Sequence, residues 1–307
     1  MELDRILSGV LSVIDDGTTE YSGAYNIRYN GQAFARSSSE NIQIIPKTDK
    51  SGIDIIVKAG TKGETVHIPV VVSESGKQDT VYNDFYIGEG CDVKIVAGCG
   101  IHNDGDCDTS HEGIHVFHIE KNATIVYEEK HYGEGGGTGN RILNPRTEIF
   151  MEENSVCKMD TAQIKGVDST LRNTKVHLGK NAKLFVWEKL MTHESQVAES
   201  DMIVNLDGEG SSAQIISRSV SKDNSVQTFH PQAVGNAPCT AHIQCDSIIM
   251  GNSSVRSIPE ICANNAHSQI IHEAAIGRIN SDQLLKLQTL GLTKDEAEAV
   301  IIDDFLK

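Results

Sequence analysis

The sequence lacks an excess of basic residues and any long apolar run. Its 307 residues contain 27 Lys and Arg against 43 Asp and Glu, a formal net charge of −16. Such a chain repels a nucleic-acid backbone and an anionic membrane surface. No apolar run approaches the roughly 18 residues of a membrane span, and residues 1–7 carry acids where a secretory signal carries a basic region. These absences predict a cytoplasmic protein that binds neither nucleic acid nor membrane.

The motifs of common nucleotide and serine-nucleophile sites are also missing. The glycine-rich run 133–139 is not followed by Gly-Lys-Ser or Gly-Lys-Thr, and it contains an acid that repels phosphate. No Gly-x-Ser-x-Gly elbow occurs. The seven cysteines show no C-x-x-C spacing, and a chain of this length forms a core without disulfides. We therefore expect reduced thiols and no nucleotide site.

The spacing of apolar residues changes along the chain, from a helical pattern to a strand pattern. Apolar residues at helical spacing predict one amphipathic helix at the start, and Asp15, Asp16 and Gly17 end it. The apolar stripe consists of Leu3, Ile6, Leu7, Val10, Leu11 and Ile14. From about residue 27, short β-branched runs separated by Gly, Asn, Asp and Ser predict strands. The chain is therefore expected to have an N-terminal helical segment at 1–26 and a β core at 27–277.

Residues 278–307 return to a helical pattern. Ser281 is expected to cap a first short helix, and Gly291 to end it. The capping box from Thr293 to Glu296 begins a second. The residues expected to face inward in the second helix are Ala297, Val300, Ile301 and Phe305.

A turn recurs within the β core. Its copies begin at residues 87, 119, 151, 178 and 206, so their spacings are 32, 32, 27 and 28 residues. Each copy is an apolar residue, a polar turn and a small residue, followed by a strand. A near-constant period indicates units that bury their apolar faces only by stacking. It predicts an all-β core of the β-solenoid type; a sandwich or barrel explains the strands but not the copied turn.

One motif matches a zinc-protease signature. His111-Glu-Gly-Ile-His115 has the H-E-x-x-H spacing. The two histidines of this motif bind zinc together only when the motif lies on a helix. Gly113 and the residues after it predict a strand instead, in which the two histidines lie roughly 13 Å apart. A wider group of ligand-type side chains surrounds the motif: Cys99, His102, Cys107, His111, His115 and His118. In one interpretation, alternate members of this group point into the core and form hydrogen bonds, and the others are solvated. In the other, His102, Cys107, His111 and His115 form a secondary metal site.

The C-terminal third carries a resemblance to a known family. It rests on residues 245–250 (CDSIIM), the segment at Pro259, residues 272–279 (HEAAIGRI) and the tail 282–298 (DQLLKLQTLGLTKDEAE). Upstream segments extend it over roughly residues 80–307, namely 98–99 (GC), 179–182 (GKNA), 217–221 (SRSVS) and 225–229 (SVQTF). Together they resemble the SufB/SufD family, the scaffold proteins of the SUF iron–sulfur cluster assembly system. The resemblance implies a right-handed parallel β-helix with terminal helices.

The resemblance also implies a site. Cys245 matches the SufB cysteine implicated in holding the nascent cluster, Glu273 matches a SufB glutamate, and His272 matches a histidine of both SufB and SufD. Thiolate and imidazole bind iron in clusters, and a carboxylate can bind ferrous iron or move a proton. Adjacent strand residues face opposite ways. His272 and Glu273 therefore reach one cluster only if the chain bends there or a second protomer shares the site.

Cys99 resembles the SufB cysteine proposed to receive sulfur at the other end of the solenoid. The Gln-x-Trp pair of the SufB sulfur path is absent, and residues 129–132 (EKHY) stand near its place. An internal sulfur path from Cys99 therefore rests on Cys99 alone.

The resemblance finally implies a function and partners. The expected function is a scaffold, not an enzyme, that holds a transient iron–sulfur cluster and its Fe. The expected partners are a SUF ABC-type ATPase bound through the C-terminal helices, a second protomer in a homodimer or SufB/SufD-type heterodimer, and a sulfur donor protein. The alternative is a metal-dependent or carbohydrate-acting enzyme on a β-helix, and no cleft-type constellation of acids, lysines and arginines is visible in the sequence.

Overall fold

The structure is a computed structural model that describes residues 5–15, 17 and 21–307. Leu3 and Asp16 of the predicted first helix lie outside the described residues. Within them, the helices are α1 (Arg5–Ile14), α2 (Ser281–Thr289) and α3 (Lys294–Phe305).

The strands occupy most of the chain between α1 and α2. Those before residue 152 are β1 (Ala24–Tyr29), β2 (Gln32–Ser37), β3 (Ile42–Pro46), β4 (Gly52–Val57), β5 (Lys62–His67), β6 (Val70–Val72), β7 (Gln78–Ile87), β8 (Asp92–His102), β9 (Thr109–Ile119), β10 (Thr124–Glu134), β11 (Arg141–Leu143) and β12 (Arg146–Met151). Those after it are β13 (Val156–Lys165), β14 (Ser169–Leu178), β15 (Lys183–Thr192), β16 (Val197–Leu206), β17 (Ser212–Ser221), β18 (Val226–Gly235), β19 (Thr240–Ile249), β20 (Ser254–Ser257), β21 (Glu260–Ala263) and β22 (Gln269–Gly277).

Two sheets wind together as a β-solenoid of about eight turns. Sheet A follows the order β2-β1-β5-β8-β10-β13-β15-β17-β19-β22, with β6 beside it. Sheet B follows the order β20-β18-β16-β14-β11-β9-β7-β4-β3, with β12 and β21 beside it. Because the chain alternates between the sheets, strand neighbours are one solenoid turn apart in sequence. The predicted solenoid, with one N-terminal and two C-terminal helices, is confirmed.

The repeated turn forms one corner of the solenoid. Its central residue has a positive φ in every copy, at Gly90, Asn122, Asn154, Asn181 and Gly210. Glycine and asparagine are the residues that adopt this conformation most readily. Asn154 Nδ2 donates to Asn122 Oδ1 at 3.2 Å, and Asn181 Nδ2 donates to Asn154 Oδ1 at 3.2 Å. The three central copies therefore stack as an asparagine ladder, and the first and last copies have glycine at the same place.

Helix α1 lies on the outer face of sheet A. Its apolar stripe is buried at Leu7, Val10, Leu11 and Ile14, which confirms the described part of the predicted stripe. Two glycines of β8 permit the close approach. A Cβ at Gly98 would lie 2.7 Å from Ile14 Cβ, and one at Gly100 would lie 2.1 Å from Val10 Cγ1.

The two ends of the solenoid differ. The N-terminal end carries the antiparallel pairs β1/β2 and β3/β4, whereas the C-terminal end stops at parallel edge strands. Strand β22 pairs, among the described strands, only with β19. Apolar side chains are exposed there, including Ile261, Ile271 and Ile276. An exposed strand edge with apolar side chains is a surface that pairs readily with another chain.

The C-terminal helices follow the sequence prediction in position but not in every detail. The predicted capping box at Thr293 is present. The prediction for Ser281 is wrong, because Asn280 caps α2 by accepting from the Asp282 backbone N–H. The prediction for Val300 is also wrong: Ala297 and Ile302 are the buried residues of α3, and Val300 is 47% exposed. None of the three helices in the described part of the chain is long and apolar enough to cross a membrane.

The packing of α1 makes a test of the fold. Gly100→Ala places a methyl group against Val10, so we expect it to lower the free energy of unfolding by about 1–3 kcal/mol, the usual cost of overpacking. Gly277→Ala is the matched control, because Gly277 also lies in a sheet A strand and a Cβ there meets nothing within 4 Å. Urea denaturation of both variants measures the difference. Equal stabilities would contradict the assigned position of α1.

Candidate functional site

Cys245 and His272 meet on the interior side of sheet A, near the C-terminal end of the solenoid. They belong to the neighbouring strands β19 and β22, whose register pairs Ile243 with His272 and Cys245 with Ala274. Cys245 Sγ lies 3.3 Å from His272 Nε2. Cys245 is buried and His272 is half-buried. The structure therefore brings two of the three predicted site residues together.

The protonation of this pair follows from its burial. Burial raises the pKa of the Cys245 thiol to about 12. Burial, and then the nearby His242, lower the pKa of His272. At neutral pH the pair is thus a thiol and a neutral imidazole. A thiol and a neutral imidazole are groups that can bind a metal ion when the cation displaces the thiol proton.

Glu273 does not join them. The register between β19 and β22 is unbroken from Thr240 to Ile248, so alternation along the strand turns Glu273 to the outer face. There its Oε1 lies 3.2 Å from His242 Nε2. The sequence left two ways for His272 and Glu273 to reach one site, a bend in the chain or a second protomer. The strand has no bend at His272, so a site that contains all three residues requires a second protomer.

A polar column lies below Cys245 inside the solenoid. Register places Glu188, Ser217 and Cys245 at equivalent positions of three successive turns. Ser217 Oγ donates to Glu188 Oε2 at 2.9 Å, and Ser200 Oγ, from sheet B, donates to Glu188 Oε1 at 2.8 Å. The sequence analysis missed Glu188. The sequence could have indicated Glu188 by its spacing, because Glu188 precedes Ser217 by one solenoid turn and Ser217 precedes Cys245 by one turn.

The column continues toward Cys99 through a buried ion pair. Arg172 Nη1 donates to Glu129, and Arg172 Nε lies 3.7 Å from Glu188 Oε1. Although burial raises the pKa of Glu129, Arg172 and His131 hold it well below the usual range. A cavity lined by Thr161, Gln163, Arg172, Glu188 and Ser200 adjoins a second, lined by Glu188, Ser200, Ser217, Ser219, Ser247 and Cys245.

Cys99 stands at the far end of this interior. Register places it next to His131, and five strand spacings separate β8 from β19. That is roughly 24 Å along the solenoid at about 4.8 Å per strand. Burial, and then Glu129, raise the pKa of the Cys99 thiol well above its usual value. Cys99 is therefore a protonated thiol facing inward, and the surface does not present it to another protein.

The histidine cluster divides between the two faces. The motif containing His111 and His115 lies in β9, so the predicted strand is confirmed. His111 and His115 are buried in the interior, whereas His102 lies on the outer face between Glu134 and Asp104, and Cys107 is exposed. Among residues 5–15, 17 and 21–307, no group of three or more His, Cys, Asp or Glu side chains is placed to hold a metal ion. The structure therefore does not unite the four residues of the predicted secondary metal site.

A charged groove on the outer face of sheet B bears on the enzyme alternative. Its lining includes Arg146, Glu148, Lys175 and Asp201. Lys175 Nζ lies 3.5 Å from Glu148 Oε1, and Arg146 Nε lies 2.8 Å from Glu112 Oε1. These are exposed pairs of the kind that cover solvated sheet faces, and nothing in their burial marks a catalytic group.

Fold and site together define a β-solenoid with a thiol–imidazole pair at its open end. Residues 87–305 match the family described as SUF system FeS cluster assembly, SufBD core domain. The chain belongs to this SufBD family, and membership implies a role in iron–sulfur cluster assembly.

Several curated relatives agree with this assignment. An iron–sulfur cluster assembly SufBD family protein of Methanocaldococcus jannaschii is 28% identical over 251 residues, which are 81% of this chain and 78% of the relative. A SufBD family protein of Methanothermobacter thermautotrophicus strain Winter is 26% identical over 240 residues, 76% of this chain and 57% of the relative. The SufBD family protein ycf24 of Galdieria sulphuraria is 30% identical over 133 residues, 42% of this chain and 60% of the relative.

The buried ion pair makes a test of the interior. Glu129→Gln leaves Arg172 without its closest partner, so we expect it to cost about 3–5 kcal/mol of unfolding free energy at pH 7. Glu128→Gln is the matched control. Glu128 is the adjacent residue, and its outward ion pair with Lys94 is partly exposed, so the loss should stay below about 1 kcal/mol.

The same pair of variants should differ in their pH dependence. The pKa of Glu129 is lower in the folded protein than in the unfolded chain, where it is near 4.5. The contribution of Glu129 to the free energy of unfolding is therefore complete above about pH 4.5 and is lost progressively as the pH falls below that value. The gap between the wild-type protein and Glu129→Gln should therefore narrow below about pH 4.5. Chemical denaturation from pH 7 to pH 3 checks this, and a constant gap would contradict it.

Proposed function

We propose that this chain is a cytoplasmic scaffold on which an iron–sulfur cluster is assembled at the open end of the solenoid. The observation that carries the proposal is the contact between Cys245 and His272 in a chain of the SufBD family. The cluster is cargo and not a resident cofactor. Thiolate sulfur and imidazole nitrogen are both cluster ligands, and a buried pair excludes much of the water that would compete for iron.

In this proposal iron binding and proton release are one event. The buried Cys245 thiol keeps its proton in the metal-free protein, because its pKa lies near 12. Ferrous iron binds the thiolate, so its arrival sends the proton to solvent. His272 is already neutral and needs no such step. The scaffold is therefore unreactive when empty and becomes a ligand set only in the presence of metal.

A second protomer is proposed to complete the site. Strand β22 presents an exposed edge with Ile271 and Ile276, and Glu273 lies on that strand with its carboxylate outward. A partner, either an identical chain or a SufB/SufD-type relative, that pairs with this edge would cover the isoleucines. It would also bring a second set of ligands beside Glu273. This arrangement uses all three predicted residues without a bend in the strand.

The thiol is tested by anaerobic reconstitution with ferrous iron and sulfide. Cys245→Ser is expected to lose most of the visible cluster absorption, because serine does not replace a thiolate toward iron and sulfide. Cys262→Ser is the control, since Cys262 is an exposed cysteine on the neighbouring strand β21. An unchanged spectrum in Cys245→Ser, or equal losses in both variants, would overturn the assignment.

Cys99 is proposed as an internal sulfur acceptor, and the buried polar residues Glu129, Arg172 and Glu188, which lie between its turn and that of Cys245, support this role. Its burial requires the solenoid to open before a sulfur donor protein can reach it. The same reconstitution separates the roles. Cys99→Ser keeps the cluster when free sulfide is supplied and loses it only when sulfur comes from a donor protein.

The C-terminal helices are proposed to bind an ABC-type ATPase. They present exposed apolar side chains at Leu285, Leu290 and Val300. Their far end is held on the solenoid, where Arg218 Nη1 donates to the Phe305 carbonyl at 3.1 Å. Such a pair of helices can pass a movement of the ATPase to sheet A, which carries the cluster site.

The ATPase contact is tested by replacing exposed residues only. Leu285→Asp with Leu290→Asp should abolish co-purification of a SUF-type ATPase, because two charges would be buried in an apolar interface. Leu171→Asp is the control: Leu171 is an equally apolar residue, 40% exposed on sheet B. Retained binding in the double variant would exclude this surface, and circular dichroism confirms that both proteins are folded.

A further inference from the structure

The interior beside β9 contains polar atoms that the protein does not satisfy. His111 Nε2 and Asn83 Oδ1 are buried without a hydrogen-bond partner, and both residues are less than 5% exposed. His115 Nε2 has only a long contact of 3.4 Å with Asn83 Nδ2. Buried polar atoms without partners are rare and costly in folded proteins. These atoms are therefore open to a ligand inside the solenoid.

The two imidazoles converge on one space. Gly113 lies between them on β9, and a Cβ placed there would lie 3.1 Å from His115 Nε2 and 3.5 Å from His111 Nε2. The two rings thus lean toward each other across the position where any other residue would put a side chain. Roughly 13 Å was expected for two histidines four residues apart on a strand, and this lean removes much of that separation at the ring nitrogens.

The hydrogen bonds behind each ring fix which nitrogen carries the proton. His111 Nδ1 lies 3.0 Å from Asp79 Oδ2, an ionised carboxylate that also accepts from Arg28. An ionised carboxylate only accepts, so in the neutral ring Nδ1 carries the proton and Nε2 a lone pair. This carboxylate–imidazole contact is the arrangement that orients histidine ligands in metal sites.

The same reasoning applies to His115. Tyr127 donates its hydroxyl proton to Glu129 Oε1 at 3.0 Å, so the hydroxyl oxygen accepts from His115 Nδ1 at 2.9 Å. The Nε2 atom of His115 again carries the lone pair. The contact of 3.4 Å with Asn83 Nδ2 is longer than an ordinary hydrogen bond, so it leaves the Nε2 lone pair open to a ligand.

In their neutral form, both imidazoles therefore turn a lone pair toward the space. We propose that His111 Nε2 and His115 Nε2, with Asn83 beside them, bind a divalent transition-metal ion of borderline softness, such as Fe²⁺ or Zn²⁺, inside the solenoid. Imidazole suits such ions, whereas an anion would meet two lone pairs. Water supplies the remaining positions. This site lies in β7 and β9, away from Cys245, and does not rest on the proposed function.

The test uses Co²⁺ as the probe on chelator-treated full-length protein that carries Cys245→Ser, so that the cluster site does not contribute. Isothermal titration should show one bound ion. Long incubation is needed, because a buried site opens only transiently. Gly113→Ala fills the space while keeping both rings, and His111→Gln removes one ligand. Each should weaken binding by at least about tenfold. Gly113 has no positive φ, so the alanine is compatible with the strand.

His118→Gln is the matched control, because His118 lies on the same strand with its ring outside, stacked between Tyr86 and Phe150. Its affinity for Co²⁺ should equal that of the parent. The proposal fails if Gly113→Ala and His111→Gln bind as the parent does, if His118→Gln loses binding equally, or if the parent binds no ion and only a water fills the space. Anomalous scattering from Co²⁺-soaked crystals gives an independent readout should either interior variant fold poorly.

Discussion

The stacking of each turn on the one before it is the constraint on which the rest of this structure depends. The ladder through Asn122, Asn154 and Asn181 joins three successive turns at one corner, and parallel pairing holds the register of the strands that follow them. In a sheet with unbroken register, alternation decides which side chains enter the solenoid. The chemistry of the interior is therefore set by residues one turn apart, and a slip at one corner would turn Cys245 out of the interior.

The fixed register also explains how the narrow interior of the solenoid accommodates buried charged side chains. Arg172 reaches from sheet B to Glu129 and toward Glu188 on sheet A, so one guanidinium serves two carboxylates in different turns. A buried ion pair is weak support for stability by itself, because desolvation offsets much of the attraction. Its value here is geometric. Between Cys99 and Cys245 it supports a series of hydrogen-bonded polar side chains, within a core that is otherwise largely aliphatic.

The parts of the fold that the sequence predicts are those encoded locally or periodically. The copied turn predicts the solenoid, the stripe of α1 predicts its packing, and the capping box predicts α3. The cap of α2 was misplaced by one residue because Asn280 and Ser281 are both good caps, and only the backbone shows which one is used. Val300 was misassigned because a helix in a small hairpin buries a narrower face than its apolar residues suggest.

The candidate site was predictable only in part, for a related reason. Family resemblance indicates Cys245, His272 and Glu273, and strand alternation indicates that His272 and Glu273 face opposite ways. Glu188, Asn83 and Asp79 were missed because their partners lie one turn away or on the opposite sheet, at separations no short motif covers. Their periodic placement becomes visible only once the register is known.

The division between faces has a consequence for how the protein works. Cys245 and His272 face inward and Glu273 outward on adjacent positions of one edge, so a cluster cannot grow on all three within one chain. In the proposed function, the inner pair would hold the first iron, and growth beyond it would proceed toward the open end, where β22 is exposed. A partner bound to that edge would control access to the growing cluster, and a movement that separates the two chains would expose it. Because α3 is attached to Arg218 of sheet A, a force on the C-terminal helices acts on the sheet that carries that edge. The site, the edge and the helices are thereby mechanically linked through a single sheet.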